Sequence, residues 1–208
     1  MTQLVLASTS PRRADLLSQI GLDFSIQSPV CDETIASKEN SVDYVTRMSI
    51  TKAQSVLSQN DDSSAILAAD TIVVVDELIL GKPKDRSDGI RMLQLLAGRS
   101  HQVMTAVTVQ SRNRQESLLV ETIVHFRSLT YDECNRYWLS GEPKDKAGGY
   151  GIQGLGAIFV CAVNGSYSNV VGLPLLETAE LLSKFGIECL PDDEQTELVI
   201  DQESGQHG

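Results

Sequence analysis

The chain has 208 residues, 41% of them apolar and 22% charged, which are the proportions of an ordinary globular protein. Its net charge of −11 argues against a general nucleic-acid binder, whose affinity rests on neutralising many phosphates; one small polyanion can still be held by locally gathered cations. No apolar run approaches the roughly 18 residues of a membrane span, and no basic leader precedes an apolar stretch at Met1-Thr2-Gln3-Leu4, so neither membrane nor export is expected.

Leu4–Ala7 reads as a strand and Pro11–Ile20 as a helix, with Ser10 at its N-cap, Pro11 at its first position and Gly21 where a C-cap glycine belongs. Phe24–Ser28 alternates weakly, as a strand does. Apolar spacing at Val42, Val45, Met48, Ala53 and Val56 predicts a helix over Val42–Ser58. Ala65–Val75 is a strand interrupted by a polar pair, "ILAADTIVVV". Ser87–Leu96 reads as a helix capped by Ser87 and ended by Gly98. Val103–Gln110 and Leu118–Phe126, joined through "SRNRQE", predict an antiparallel pair. Tyr131–Leu139 reads as a short helix, Ala157–Val163 as a strand, and Pro174–Phe185 as a helix with Pro174 at its first position. Residues 191–208 are acidic and poor in apolar residues, which predicts a mobile tail after one domain over 1–190. Helices interleaved with strands, and a late β-pair, predict an α/β fold: a mixed sheet with helices packed on it. The four cysteines, Cys31, Cys134, Cys161 and Cys189, are scattered and read as structural thiols of a reducing, cytoplasmic compartment; the three histidines show no zinc spacing.

Four polar knots interrupt the apolar elements. In Ser8-Thr9-Ser10-Pro11-Arg12-Arg13 two arginines stand at the positive end of a helix, where acids are preferred. Helix-start N–H groups, the hydroxyls of Ser8 and Ser10 and two guanidinium forks make an oxyanion site. Arg13 shares the apolar face with Leu16, Leu17 and Ile20 and should point inward, whereas Arg12 lies a quarter-turn away. The alternative is a pair of surface arginines answering nearby acids. Asp70, in an apolar run, must meet cations, a metal or hydrogen bonds. It reads either as a general base or magnesium ligand, or as a buried ion pair or bulge residue. Lys82 sits on a stiff Gly-Lys-Pro corner after an apolar strand, and Lys52 lies on the core side of its helix. In "PKDKAGGYGIQGLG" the glycines would let backbone approach a ligand, with Lys144, Lys146 and Gln153 adding polar groups. No Rossmann or Walker fingerprint is present. Taken together the knots suit a triphosphate with a divalent metal.

"LVLASTSPRRADLL", "AADTIVVVD", "GKP", "DKAGGYGIQGLG" and "VVGLPL" resemble the Maf family of nucleoside triphosphate pyrophosphatases, from about Leu4 to Phe185. Arg12, Thr71 and Gln153 resemble the branch acting on dTTP and UTP rather than the one acting on 7-methyl-GTP. The resemblance implies hydrolysis between the α- and β-phosphates, with monophosphate and pyrophosphate as products. It implies a twisted mixed α/β fold of two lobes with a cleft between them, and a homodimer. It makes the residue matching Asp70 the proton acceptor and Arg12, Thr71 and Gln153 the positions that set substrate choice; Glu33 joins Asp70 as a second carboxylate for Mg²⁺ or Mn²⁺. Ser8, Arg13, Lys52 and Lys82 are then the expected phosphate ligands. Two alternatives stay open: the same reaction on CTP or a modified pyrimidine triphosphate, or a nucleotide-binding regulator of cell division.

Overall fold

The computed structural model describes residues 3–60 and 63–190; the tail expected over 191–208 lies outside them. Along the chain run β1 (Gln3–Ala7), α1 (Pro11–Gln19), β2 (Ser25–Gln27), α2 (Ser41–Leu57), β3 (Ser64–Val75), β4 (Leu78–Leu80), α3 (Arg86–Leu96), β5 (Ser100–Gln110), β6 (Gln115–Phe126), α4 (Tyr131–Leu139), β7 (Val160–Asn164), α5 (Tyr167–Val171) and α6 (Leu175–Ser183). Seven strands form one sheet in the order β2-β1-β3-β5-β6-β7, with β4 paired to β3 off that path. β1 runs parallel to β2 and β3, and the other pairs are antiparallel, so the sheet is mixed as expected.

One edge of β3 is divided. Ser64 to Leu67 pair with β1, and Val73 to Val75 pair with β4. Between them, residues 68–72 have no strand partner on that side among the described residues, while β5 lines the opposite edge from Ile66 to Val74. β4 arrives through a two-residue turn, Asp76-Glu77, with φ of 49° and 64°. Such turns favour glycine or asparagine, and Asp-Glu carries no such signal in sequence.

Side chains alternate across β3. Ile66, Ala68, Ile72 and Val74 face α2, against Val45, Met48, Ala53 and Val56. Leu67 and Ala69 face a second cluster with Leu16, Leu17, Leu181 and Leu182 of α1 and α6. Val73 and Val75 face a third, built from α3, α4 and β6. Burial on both faces explains the unbroken apolar run on each side of Asp70-Thr71.

Local chemistry sets the helix ends, and several differ from expectation. Ser10 holds the N-cap position of α1 but caps nothing with its side chain; its N–H instead donates to Ser8 Oγ at 3.1 Å. Gly21, at φ 74°, closes α1, with Leu22 N–H donating back to Leu17 O. α2 is capped by Asn40, and its buried face carries Tyr44, Ser49 and Lys52, whereas Val42 is exposed. Asp85, not Ser87, caps α3, accepting from Asp88 N–H. Ala157–Val163 is a strand only from Val160; Leu155–Phe159 forms a 3-10 turn, with Gly156 packed closely on Tyr137 of α4. Pro174 is the N-cap of α6 rather than its first residue, and α5 was not expected. All four cysteines are free. No helix among the described residues is long and apolar enough to cross a membrane.

His101 is 2% exposed and packs edge-on against Phe126 and Tyr150. Its Nε2 meets Tyr150 Oη at 2.8 Å, and its Nδ1 has no partner among the described residues. Burial, with a smaller contribution from the charge of His125, lowers its pKa to about 4. An imidazole in the unfolded chain binds its proton near pH 6.5, so the unfolded state holds more protons between pH 6.5 and 4. Stability therefore falls as pH drops through that window, by up to about 3 kcal/mol from this residue. Denaturant unfolding at pH 7, 5.5 and 4 should show that slope in the wild type and a flatter one in His101→Gln.

Candidate active site

Asp70 and Thr71 lie inside the stretch of β3 that has no strand partner on one edge, and the alternation of the strand sends them to opposite faces. Asp70 points to the α2 face. There Lys52, on the buried side of α2, meets Asp70 Oδ1 at 2.6 Å and Glu33 Oε1 at 2.8 Å. The side chains of Lys52 and Asp70 are 11% and 13% exposed, and that of Glu33 is 54% exposed. Glu33 lies in the segment between β2 and α2, which is held by Tyr44 Oη donating to Glu33 O and by Arg47 Nη2 donating to Thr34 O, both at 3.0 Å.

Thr71 points to the other face, where Arg13 reaches it from the start of α1. Arg13 Nη2 donates to Thr71 Oγ1 at 3.0 Å, Nε to Gly172 O at 2.8 Å and Nη1 to Ser8 Oγ at 3.3 Å. Thr71 Oγ1 is itself 2.9 Å from Thr105 Oγ1 on β5. Gly172, at φ 128°, ends α5 and turns its carbonyl toward Arg13. Arg13 thus points inward, as its place on the apolar face predicted. Arg12 points elsewhere, pairing with Asp145 at 2.8 Å, while Lys146 takes the other Asp145 oxygen at 2.7 Å.

Most of these groups line one cleft of about 880 Å³ that wraps the unpartnered edge of β3. Ser8, Arg12, Arg13, Glu33, Lys52, Asp70, Thr71, Lys82 and Gln153 are all in its wall. Lys144 is not; it is exposed outside it. Asp145, Glu142, Thr105 and the Gly172 carbonyl were not singled out from sequence. An acid in a Lys-Asp-Lys turn reads as solvated surface, and a carbonyl has no side-chain signature. The glycines of this segment also have protein neighbours that the sequence did not announce. Gly154 and Gly156 make room for Glu142 and Tyr137.

The electrostatics follow from the partners. Burial alone would depress Lys52, but Asp70 and Glu33 outweigh it and raise its pKa. The hydrogen bond from Lys52 is the main reason that Glu33 titrates below its ordinary value. Burial lowers the pKa of Arg13, opposed by Asp70 and reinforced by Arg12. Burial disfavours ionised Asp145, and the hydrogen bonds from Lys146 and Arg12 outweigh it, holding its pKa at about 2. Among the described residues no group of three or more His, Cys, Asp or Glu is placed to hold a metal. Asp70 and Glu33 do present two oxygen donors on one ammonium, a set that suits a hard divalent cation completing its shell with phosphate oxygens and water.

Fold and cleft together define an α/β protein with Arg12, Arg13, Lys52 and Lys82 gathered along one cleft. The chain belongs to the Maf-like protein family, whose sequence pattern matches residues 3–185. A dTTP/UTP pyrophosphatase of Vibrio parahaemolyticus is 53% identical over 182 residues, 88% of this chain and 96% of that protein. Another, of Shewanella oneidensis, is 52% identical over 191 residues, 88% of this chain and 98% of that protein. Among solved structures, a HAM1 protein from Coxiella burnetii aligns over 88% of this chain and all of its own, at 16% identity and a TM-score of 0.46.

Lys52→Met should raise the pKa of the Glu33 carboxyl toward its ordinary value, since the lysine is the first cause of its depression. Carboxyl NMR titration reads that shift directly; an unmoved Glu33 would show that the contact does not form in solution.

Proposed function

We propose that this chain hydrolyses dTTP and UTP to the monophosphate and pyrophosphate. The observation that carries the reading is the convergence of Arg13, Lys52, Asp70, Lys82 and Gln153, which are far apart in sequence, on one cleft. The two relatives named above, similar over almost their full length, support it. In this reading Arg13 and the helix-start N–H groups of α1 bind phosphate oxygens, with Ser8 orienting Arg13. Lys52 and Lys82 add point charges. Glu33 and Asp70 would hold the divalent cation, Mg²⁺ or Mn²⁺. Bound there, it supplies charge neutralisation and a more acidic water. Asp70 takes the proton of the attacking water, and Lys52 keeps that carboxylate aimed. Positioning and charge stabilisation supply most of the rate in such reactions.

The two faces of the β3 edge divide the remaining work. Thr71 Oγ1 is already engaged by Arg13 and Thr105, so it acts on substrate choice through the placement of the guanidinium. Gln153 has no side-chain hydrogen bond among the described residues, and its amide is free to meet a base. Its carbonyl accepts from N3–H of uracil or thymine while its NH₂ donates to O4; cytosine reverses that pattern.

Pyrophosphate release from a panel of nucleoside triphosphates, with Mg²⁺ or Mn²⁺, tests the reading. The expected result is turnover of dTTP and UTP well above CTP, by about 10²-fold or more. Asp70→Asn should lower kcat by about 10²- to 10⁴-fold with the fold intact by circular dichroism. Preference for CTP would reassign the substrate, and tight triphosphate binding without release would favour a nucleotide-binding regulator. In Gln153→Glu, dTTP and UTP should suffer far more than CTP; equal losses would remove Gln153 from base reading.

A further inference from the structure

The base-reading role of Gln153 raises a question of support, because the loop that carries it has little structure of its own. Within residues 151–156 the only internal backbone bond is Gly154 N–H to Gly151 O, long at 3.4 Å. The loop is held instead by two side chains from outside it. Glu142 Oε2 accepts from Leu155 N–H at 2.7 Å, and Oε1 accepts from Gly156 N–H at 3.1 Å. Tyr137 Oη donates to Glu142 Oε1 at 2.8 Å and accepts from Gly151 N–H at 3.0 Å. Gln153 therefore hangs between two clamped points, residue 151 on one side and residues 155 and 156 on the other. The glycines exist for this clamp. A Cβ at Gly154 would stand 2.4 Å from Glu142 Oε2, and one at Gly156 would stand 2.6 Å from Tyr137 Oη.

We infer that Glu142, seated on Tyr137, is a positioning residue that fixes the Gln153 loop and thereby sets the enzyme's choice of base. The inference rests on the base-reading role proposed above. Three donors already occupy the Glu142 carboxylate, which suits it to holding backbone rather than to abstracting a proton or ligating a cation. Its chain position adds a second consequence. Glu142 opens the four-residue 3-10 turn Glu142–Asp145, and Asp145 at the end of that turn pairs with Arg12. One short turn thus ties together two of the positions expected to govern specificity.

The test is kcat/KM for dTTP and CTP in the wild type, Glu142→Gln, Gln153→Ala and the double variant. A glutamine at 142 keeps one acceptor and turns an NH₂ toward a backbone N–H, which should release one clamped point. The ratio of dTTP to CTP should fall about tenfold or more in Glu142→Gln, mainly through dTTP, and in Gln153→Ala. In the double variant it should fall no further than in Gln153→Ala alone, because both changes act on one contact. Tyr137→Phe, which keeps the packing of the ring, should lower the ratio in the same direction and carries the test if Glu142→Gln fails to fold. An unchanged ratio in Glu142→Gln and Tyr137→Phe, or a further fall in the double variant, would overturn the inference while leaving base reading intact. A wild type without preference for dTTP over CTP would overturn base reading itself and this inference with it.

Discussion

The site depends on a gap in the pairing of one strand. β3 serves β1 with its first residues and β4 with its last, and the stretch between them faces no strand on that edge. A central strand is normally closed on both edges and both faces, which leaves no way in for a ligand. Here the interruption lets a cleft reach the middle of the sheet, and the alternation of the strand turns one opening into a two-sided site. Asp70 serves the face under α2, and Thr71 serves the seam between the cluster of α1 and α6 and the cluster of α3 and α4.

Placing a carboxylate there imposes the rest. A largely buried, unpaired Asp70 would be costly, so α2 must carry a cation on its core side. Lys52 meets that need, and its own burial is tolerable only because two acids share it. Arg13 shows the same logic in reverse. It stands at a helix start that disfavours cations and is held by a carbonyl and two hydroxyls, none of which neutralises it. Its buried guanidinium is therefore a positive charge held in place by neutral acceptors.

Much of this was legible in the sequence, because the relevant signals are violations of local rules. Two arginines at a helix start and an aspartate inside an apolar strand stand out against what such elements prefer, and functional sites are where local and global preferences part. The mixed sheet followed from the order of apolar runs. What stayed hidden was interaction at long range. The Asp76-Glu77 turn has no glycine to announce β4, so the divided edge of β3 could not be read. Asp85 outcompeted Ser87 as a cap because either residue can cap, and only the packing of α3 decides its first turn. The glycine-rich segment announced close approach but not to what. Its partners, Tyr137 on α4 and Glu142 on the 3-10 turn after it, look in sequence like a core tyrosine and an ordinary surface acid.

The pairing of Arg12 with Asp145 has an effect that its strength would not suggest. The pair joins partly exposed side chains across the cleft and contributes at most about 1 kcal/mol to stability. Its importance lies in conformational freedom rather than in attraction. An arginine waiting free in solvent samples many rotamers, and immobilising such a side chain on binding costs about 0.5–1.5 kcal/mol. Asp145 holds the guanidinium in one place beforehand, so that loss is incurred when the chain folds and not when a ligand arrives. The weak internal pair therefore leaves the cleft already ordered, and a competing anion has only to exchange with a carboxylate.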